Sequence, residues 1–530
     1  MSARHRGDRG ASRARLLAGA GALAVVAALL PALDRAVGPD EDPGSTGALP
    51  LLTATDASWL DREHVASSLV RGARDCTRAY RYSSSSSSRM LSGTLLGASL
   101  DPVASVAGVT TRHTGEVGTS STPQPSTAPS VGGDAHAAPL SVTALSSALG
   151  AQTASVVVLP AAGQETSVLQ QHARAASDGE AAATTGAVTE RGAVRTTSGT
   201  GSVPRGDLPS PARIDLARLA PGTATLAGLQ LQVGALASTA MLDGCERDEN
   251  GAVAVRDYGI AGLRTVLTTP AVPAVVQTAK GAVTTAQAAV DPLEKTLAGT
   301  LGLLGPVATV DIQVDLQPLL TGLVSQKLGA GSEVVVDLST GTVEVDLARL
   351  LSGRGGVNGR APGTELVLDQ ELQQLVAGRV TALLDAWAVS VEAAVKTALL
   401  SAPVQVRVLT LLGGSLLSLD TTVQGLLGSG DLGLATLIST LSSGLLGTPN
   451  GVVPKLGATV RVATPSVTTA TSTALSGLRS AFSLVVNDQR QAGGVFDVAA
   501  LRVRVLPGAS TSPTDLRLAT SSVGPVVERP

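Results

Sequence analysis

The chain has few aromatic residues, few cysteines, few lysines and no histidine in its second half, and each shortage closes off a class of chemistry. In 530 residues the aromatics are Trp59, Trp387, Tyr80, Tyr82, Tyr258, Phe482 and Phe496, or 1%. Stacking platforms for single-stranded nucleic acid and aromatic cages for cations need more rings than that. Any core must therefore be built from Leu, Val and Ala. All five histidines, His5, His64, His113, His136 and His172, precede Pro211. Beyond that point neither a Ser-His-Asp triad nor a His-ligated zinc site can be assembled. No Walker loop, dinucleotide glycine pattern or HExxH occurs, so no catalytic residue and no cofactor is expected. The net charge is −3, with 34 Arg against 5 Lys, which gives no polyanion-binding signature. Nucleic acid is not an expected partner.

What is present begins at the N-terminus. Residues 1–15 form a basic region with Arg4, Arg6, Arg9, Arg13 and Arg15, and residues 16–33, from Leu16 to Leu33, form an uncharged apolar run. This pattern predicts an export signal, either a cleaved signal peptide or an uncleaved transmembrane anchor, since 18 residues are just enough to span a bilayer. The chain beyond it is expected outside the cytoplasmic membrane. The C-terminal SSVGPVVERP carries no hydrophobic stop and no sorting-type motif, so anchoring is expected at the N-terminus. Two cysteines, Cys76 and Cys245, suit an exported chain and form a candidate disulfide, set against two free thiols. If formed, it would contribute roughly 4 to 5 kcal/mol in the chain-entropy model.

Residues 34–139 read as a disordered, low-complexity Ser/Thr/Pro/Gly-rich stalk, with a short helix around Ala57 to Tyr80 and an unbroken serine run from Ser83 to Ser88. Residues 140–530 read as the exported domain. Alternating apolar and polar residues predict strands at Leu226–Leu242, Ala252–Leu267, Val307–Leu316, Val404–Val423, Gly457–Thr464, Ala481–Asn487, Val495–Leu506 and Asp515–Val523. Asn250-Gly251 marks a turn, and Glu333–Leu350 reads as a hairpin about Ser339-Thr340-Gly341. Helical spacing covers Val272–Leu304, Leu434–Leu445 and a stretch from an N-cap at Asp369 to Pro403. Its apolar positions are Leu372, Leu375, Val376, Val380, Leu383, Leu384, Trp387, Val391 and Val395. The expected class is α+β and β-rich: antiparallel sheets packed with a few long amphipathic helices, preceded by a signal or anchor helix and the stalk.

Carboxylates offer the remaining site candidates. Asp311 and Asp315 share a face of their expected strand, and Asp337, Glu344 and Asp346 lie on the expected hairpin, where alternation with apolar residues reads as solvent-facing. Glu246, Asp248, Asn250 and Asp257, with Gly251 between, imitate the spacing of a calcium loop, although Glu stands first and Asp last, and strand-like flanks replace helices. A solvated hairpin turn is the competing reading. Arg-Gly-Asp occurs at Arg6–Asp8 and Arg205–Asp207, as expected by chance in an Arg/Gly-rich chain.

Read in order, GEAAATTGAVTERGAV, ATLAGLQLQVGALASTA, VRDYGIAGLRTVLTTPAVPAVV, TVEVDLARLL with GRAPGTELV, and VFDVAALRVRVLPG with DLRLATSSVGP resemble a known family from about residue 179 onward. They look like the choice-of-anchor G family, exported and surface-associated proteins of high-GC Gram-positive bacteria. The resemblance implies an exported domain with no attached activity, so no site residue carries over. Together these readings lead to an expectation of a non-enzymatic cell-surface or extracellular protein with a structural or adhesive role. Its partners would be envelope components or other surface proteins, and the membrane if Leu16–Leu33 is retained. The alternatives are a module binding an envelope lipid or other apolar ligand, and a carboxylate-dependent hydrolase.

Overall fold

The computed structural model describes residues 81–100, 108–116, 118–139, 156–158, 170–186, 212–220, 223–248, 251–301, 307–409, 415–428, 435–447, 451–506 and 514–529. The export segment, the helix expected at Ala57–Tyr80, Cys76 and both Arg-Gly-Asp sequences lie outside them. The principal strands are β1 (Arg81–Leu95), β2 (Val109–His113), β3 (Ala135–Pro139), β4 (Gln170–Ala175), β5 (Glu180–Gly186), β6 (Leu229–Asp248), β7 (Gly251–Thr268), β8 (Val307–Ile312), β9 (Val334–Asp337), β10 (Thr342–Asp346), β11 (Pro403–Leu409), β12 (Ser415–Thr422), β13 (Phe482–Ala492), β14 (Val495–Val505), β15 (Asp515–Val523) and β16 (Val527–Arg529). The principal helices are α1 (Ala271–Ala288), α2 (Val290–Leu301), α3 (Gln317–Val324), α4 (Gln370–Ser401), α5 (Ala435–Leu446) and α6 (Val452–Ala481). The class is α+β and β-rich, with antiparallel sheets and long helices, as expected. Among the described residues no helix is long and apolar enough to cross a membrane.

The chain divides into two units. One comprises 48–267, 344–374 and 472–530, and its described part is a sandwich. A nine-stranded sheet runs from Thr364–Glu365 through β13, β14, β15, β1 and β2 to Thr122–Gln124, with β16 and Ala98–Ser99 also paired to β1. The facing strands, β7, β6, β5, β4, β3 and Ser130–Gly132 in that order, are part of an eleven-stranded sheet. The described part of the expected stalk is thus not a stalk: β1 lies between β15 and β2, inside the nine-stranded sheet. The serine run has no apolar alternation to reveal it, yet Ser84, Ser86, Ser88 and Met90 are buried while the residues between them face outward. Serine fits because the opposing face is equally small. Ala173, Ala175, Ala181, Ala183 and Ala240 line it, and hydroxyls bond across the gap. Ser84 Oγ donates to Ala176 O at 2.8 Å, Thr185 Oγ1 donates to Thr520 O at 2.7 Å, and Ser238 and Ser521 Oγ lie 2.8 Å apart. A buried hydroxyl is tolerated when it is hydrogen-bonded, a condition that Ser84, Thr185, Ser238 and Ser521 meet, whereas Ser86 and Ser88 have no partner for their hydroxyls among the described residues.

One row of this sheet is irregular. Asn487, Ala500, Ala519 and Met90, on four adjacent strands, fall between ladder pairs. Asn487 and Ala519 take left-handed φ values of 54° and 49°. Asn tolerates that conformation; buried Ala519 is strained in it. The freed Met90 N–H donates instead to Gln171 Oε1 at 3.0 Å.

The other unit, 268–343 and 375–471, carries α1, α2, α3, α5, most of α4 and α6, and a three-stranded sheet β8-β11-β12. Its core is aliphatic. Val272, Val275, Val276, Ala279, Val283 and Ala286 bury one stripe of α1, and the helix expected to run to Leu304 breaks at Ala289, immediately before the first turn of α2, which contains Pro292. On α4 the expected stripe is buried except at Leu383, which is half-buried, and Leu375, which is 45% exposed; Trp387 donates its indole N–H to Leu323 O at 3.2 Å.

The strand expected at Gly457–Thr464 is a correction: those residues lie within α6. Their local alternation is overridden by a longer period, with Val453, Leu456, Val460, Thr464, Val467, Thr471, Ala474, Leu475 and Leu478 buried at steps mostly of three and four. Pro465 removes the amide that would bond the carbonyl of Arg461, and the Thr464 hydroxyl donates to that carbonyl at 2.9 Å.

Candidate functional site

Most carboxylates singled out from the sequence are structural. Asp337 and Asp346 are corrections to the solvent-facing reading, because both are buried. Asp337 Oδ1 accepts from Ser339 N, Ser339 Oγ and Thr340 N, and its carboxylate pairs with Lys327 at 3.0 Å. Burial pulls its pKa upward, but the hydrogen bonds outweigh this and hold it at about 2. Its role is to close the hairpin turn. Asp346 caps the helical turn Leu347–Leu350 through Arg349 N at 3.1 Å and pairs with Arg264 at 3.2 Å. Asp315 is not in a strand with Asp311: β8 ends at Ile312, and Asp315 Oδ1 accepts from Gln317 N at the start of α3.

The calcium-like spacing is stretched out rather than coiled around a centre. In the β6–β7 ladder Asp248 pairs with Gly251 and Asp257 with Thr239. Asp257 therefore sits six residues along an extended strand from Gly251, about 20 Å at the usual rise. Asn250, Cys76 and the expected Cys76–Cys245 bridge lie outside the described residues. Among the described residues no group of three or more His, Cys, Asp or Glu side chains could hold a metal.

Three polar clusters emerge instead from tertiary pairing, all within the sandwich unit. The first lies on β13, β14 and β15. Asp488 receives Arg517 Nε at 2.8 Å, with Arg490 at 3.4 Å and Arg502 at 3.6 Å. Arg502 also grips Asp515 with two bonds of 2.6 and 2.5 Å. The Arg502 guanidinium, hydrogen-bonded to Asp515, holds that carboxyl below its usual range, and burial lowers the pKa of Arg517. A fork-shaped guanidinium suits this shared, semi-buried geometry better than an ammonium would.

The second cluster staples the loop after Leu351 to the sheets. Tyr258 donates its hydroxyl to Val357 O at 2.8 Å and accepts from Arg360 N at 3.0 Å. The Asn358 carboxamide brackets Ile260, accepting from its N–H at 2.8 Å and donating to its carbonyl at 3.0 Å. Asn487 Nδ2 donates to Arg360 O at 2.8 Å. Arg354 pairs with Asp369, the N-cap of α4, and with Glu371 at 2.6 Å. The Leu372 amide, with Arg354, lowers the Asp369 pKa.

The third cluster is the one the sequence missed. His113, His136 and His172 are all buried, on β2, β3 and β4, with His136 paired to Ala173 and His172 to Ala137, so that these two rings point to opposite faces of their sheet. His136 Nε2 lies 3.2 Å from Ser121 Oγ, and Ser121 N donates to Asp134 Oδ1 at 2.9 Å. His113 Nδ1 accepts from Gly115 N at 2.9 Å, and its Nε2 lies 3.0 Å from Thr119 O. Burial, with Arg174 and His136 nearby, lowers the pKa of His172 to about 4. The exclusion of imidazole chemistry held only for residues after Pro211; the folded sandwich contains histidine because it begins well before that point. The available signal was the alternation of His113 and His136 with small residues, which the surrounding Ser, Thr and Pro concealed.

The chain matches a family described as a domain of unknown function (DUF8394) over residues 86–524, so it belongs to that family. No curated protein and no solved structure matches it.

Proposed function

We propose that this member of the family is a non-enzymatic exported protein, acting at the cell surface or outside the cell in a structural or adhesive role. The observation that carries the reading is how the ordered polar groups are used. Asp488, Asp515, Asp337, Asp346 and Asp369 are engaged by guanidinium groups, an ammonium, turns and helix starts, the pattern of a scaffold held rigid by its own charges. Export is supported by the basic residues before Leu16–Leu33, and the resemblance to choice-of-anchor G proteins supports a surface location. The partners proposed are envelope components or other surface proteins.

Fractionation of the native protein with N-terminal sequencing tests the location. The expected result is recovery from the envelope or the culture fluid, with the N-terminus reporting whether Leu16–Leu33 is retained; recovery from the cytosol overturns the proposal. Turnover in a broad hydrolase screen of the full chain, abolished by one Asp or Glu substitution, would overturn the non-enzymatic part.

A further inference from the structure

The outward face of the nine-stranded sheet changes character from one half to the other. Residues paired across a ladder share a face, and alternate residues of β1 turn outward while Ser84, Ser86 and Ser88 turn into the core. On β13, β14 and β15 the outward arginines have acids among them. Arg502 and Arg517 stand directly opposite each other, Asp488 pairs with both, and Asp515 pairs with Arg502. On β1 and its neighbours the outward positions are Arg81, Ser83, Ser85, Ser87 and Arg89 of β1, Thr110 and Arg112 of β2, and Val527 and Arg529 of β16. That set holds four arginines, four hydroxyls and no acid.

Arg81 lies directly opposite Arg529, and both are exposed. Like charges so placed repel. Carboxylates offset that repulsion for Arg502 and Arg517, whereas Arg81, Arg112 and Arg529 have no ion-pair partner among the described residues. Two acids stand at the margin, Glu116 in the turn after β2 and Glu528 opposite the inward-facing Tyr82, and neither is paired with these arginines. Arg112, also exposed, lies opposite Ser85, midway between Arg81 and Arg89. Those two are eight residues apart on an extended strand, so positive groups recur at intervals of about 13 Å along about 27 Å. Hydroxyls fill the intervals; Thr110 Oγ1 donates to Ser87 Oγ at 3.1 Å. The chain's net charge of −3 conceals this concentration, which arises only when β1, β2 and β16 are brought side by side.

We propose that this face, from Arg81 and Arg529 past Arg112 to Arg89, binds an extended anionic polymer whose repeats carry phosphate or uronate groups. Guanidinium forks take either oxyanion in two-pronged fashion, and an anion set between Arg81 and Arg529 relieves their repulsion. The serine and threonine hydroxyls suit the oxygens of a glycan or polyol. The outward positions hold no aromatic ring on which a nucleic-acid base could stack. The inference deepens the functional reading above by giving the chemistry of an envelope partner. Titration of the purified chain tests it apart from location, which fractionation tests.

The full chain is titrated calorimetrically with inorganic polyphosphate and with polygalacturonate over a range of salt concentrations. Salt-sensitive binding is expected, tighter for polyphosphate if the ligand's repeats are phosphates and for polygalacturonate if they are uronates. The triple substitution Arg81→Gln, Arg112→Gln and Arg529→Gln should weaken it on the order of 100-fold at about 0.1 M salt and reduce the slope of log K against log salt by about 2. A matched loss of three charges in the basic N-terminal region, Arg4→Gln, Arg6→Gln and Arg9→Gln, should leave affinity within about twofold. Failure to bind either polymer, a loss below about tenfold in the face variant, or an equal loss in the matched variant overturns the proposal. Double-stranded DNA competing as well as either polymer overturns it too, because the face then answers to any dense line of charge. Should the triple variant fail to fold, the single substitutions, each expected to cost about fivefold, decide the matter.

Discussion

The cores of the two units share an aliphatic base and differ in what is added to it. In the helical unit Val272, Val276, Leu384, Trp387, Val391 and Val460 bury aliphatic and indole surface, and stability there follows area removed from water. The sandwich buries Leu91, Ile214, Leu231, Leu501 and Leu518 in the same way, but part of its interior is a layer of Ser84, Ser86, Ser88, Thr185, Ser238, Ser521 and short alanines. Each residue of that layer removes little apolar area, so there the sandwich depends more on close fit, backbone ladders, cross-sheet hydroxyl bonds and paired charges. Opposite responses to substitution should follow.

The largest contrast is expected from Trp387→Ala, which empties the largest fully buried side chain of the helical unit and should cost about 3–5 kcal/mol in urea unfolding. Nothing in the hydroxyl layer should approach that on truncation. The sandwich has its own heavy loss, however. Arg517→Met strands the buried Asp488 carboxylate without its shortest partner, and about 3 kcal/mol of destabilisation is expected. A loss below about 1 kcal/mol would mean that Arg490 and Arg502 suffice.

The pH dependence separates the units next. His172 has its folded pKa near 4, below its ordinary 6.5, so between those values the unfolded chain binds the proton more readily. Its contribution is fully present above about pH 6.5 and declines by about 3 kcal/mol as pH falls to about 4, levelling off below. Thermal melts resolving the two units should show the sandwich losing stability first in that window. The smallest and most diagnostic effect concerns Ser86, whose hydroxyl is buried without a partner among the described residues. Ser86→Ala should be neutral to slightly stabilising, whereas Ser86→Val should overpack the gap and cost about 1–3 kcal/mol. If the valine variant melts higher instead, the sheets are less closely fitted than the alanine and hydroxyl lining suggests.

The same difference explains what could be read from the sequence. α1, α4 and α5 were legible because Leu and Val recur at helical spacing, and Asp369 announces the start of α4. β6, β7 and β13 to β15 were legible from alternation. β1 was not, because serine alternating with serine carries no pattern in hydropathy, and α6 was not, because Thr and Val at neighbouring positions imitate a strand around Pro465. The polar clusters were illegible for another reason. Asp488 and Arg517 are 29 residues apart, and Tyr258 and Val357 are 99 apart. Single carboxylates can be found in a sequence; the group that neutralises each cannot.

By itself, then, the sequence determined the β-rich class, most of the strands, the aliphatic helices and the absence of imidazole beyond Pro211. These follow from periodicity and composition, which act over a few residues. Only the tertiary structure decided that the serine run is an interior strand, that Asp337 and Asp346 are buried caps, and that three histidines are buried on β2, β3 and β4. Burial of a small or polar side chain depends on what stands opposite it, and strand pairing supplies that neighbour from far along the chain.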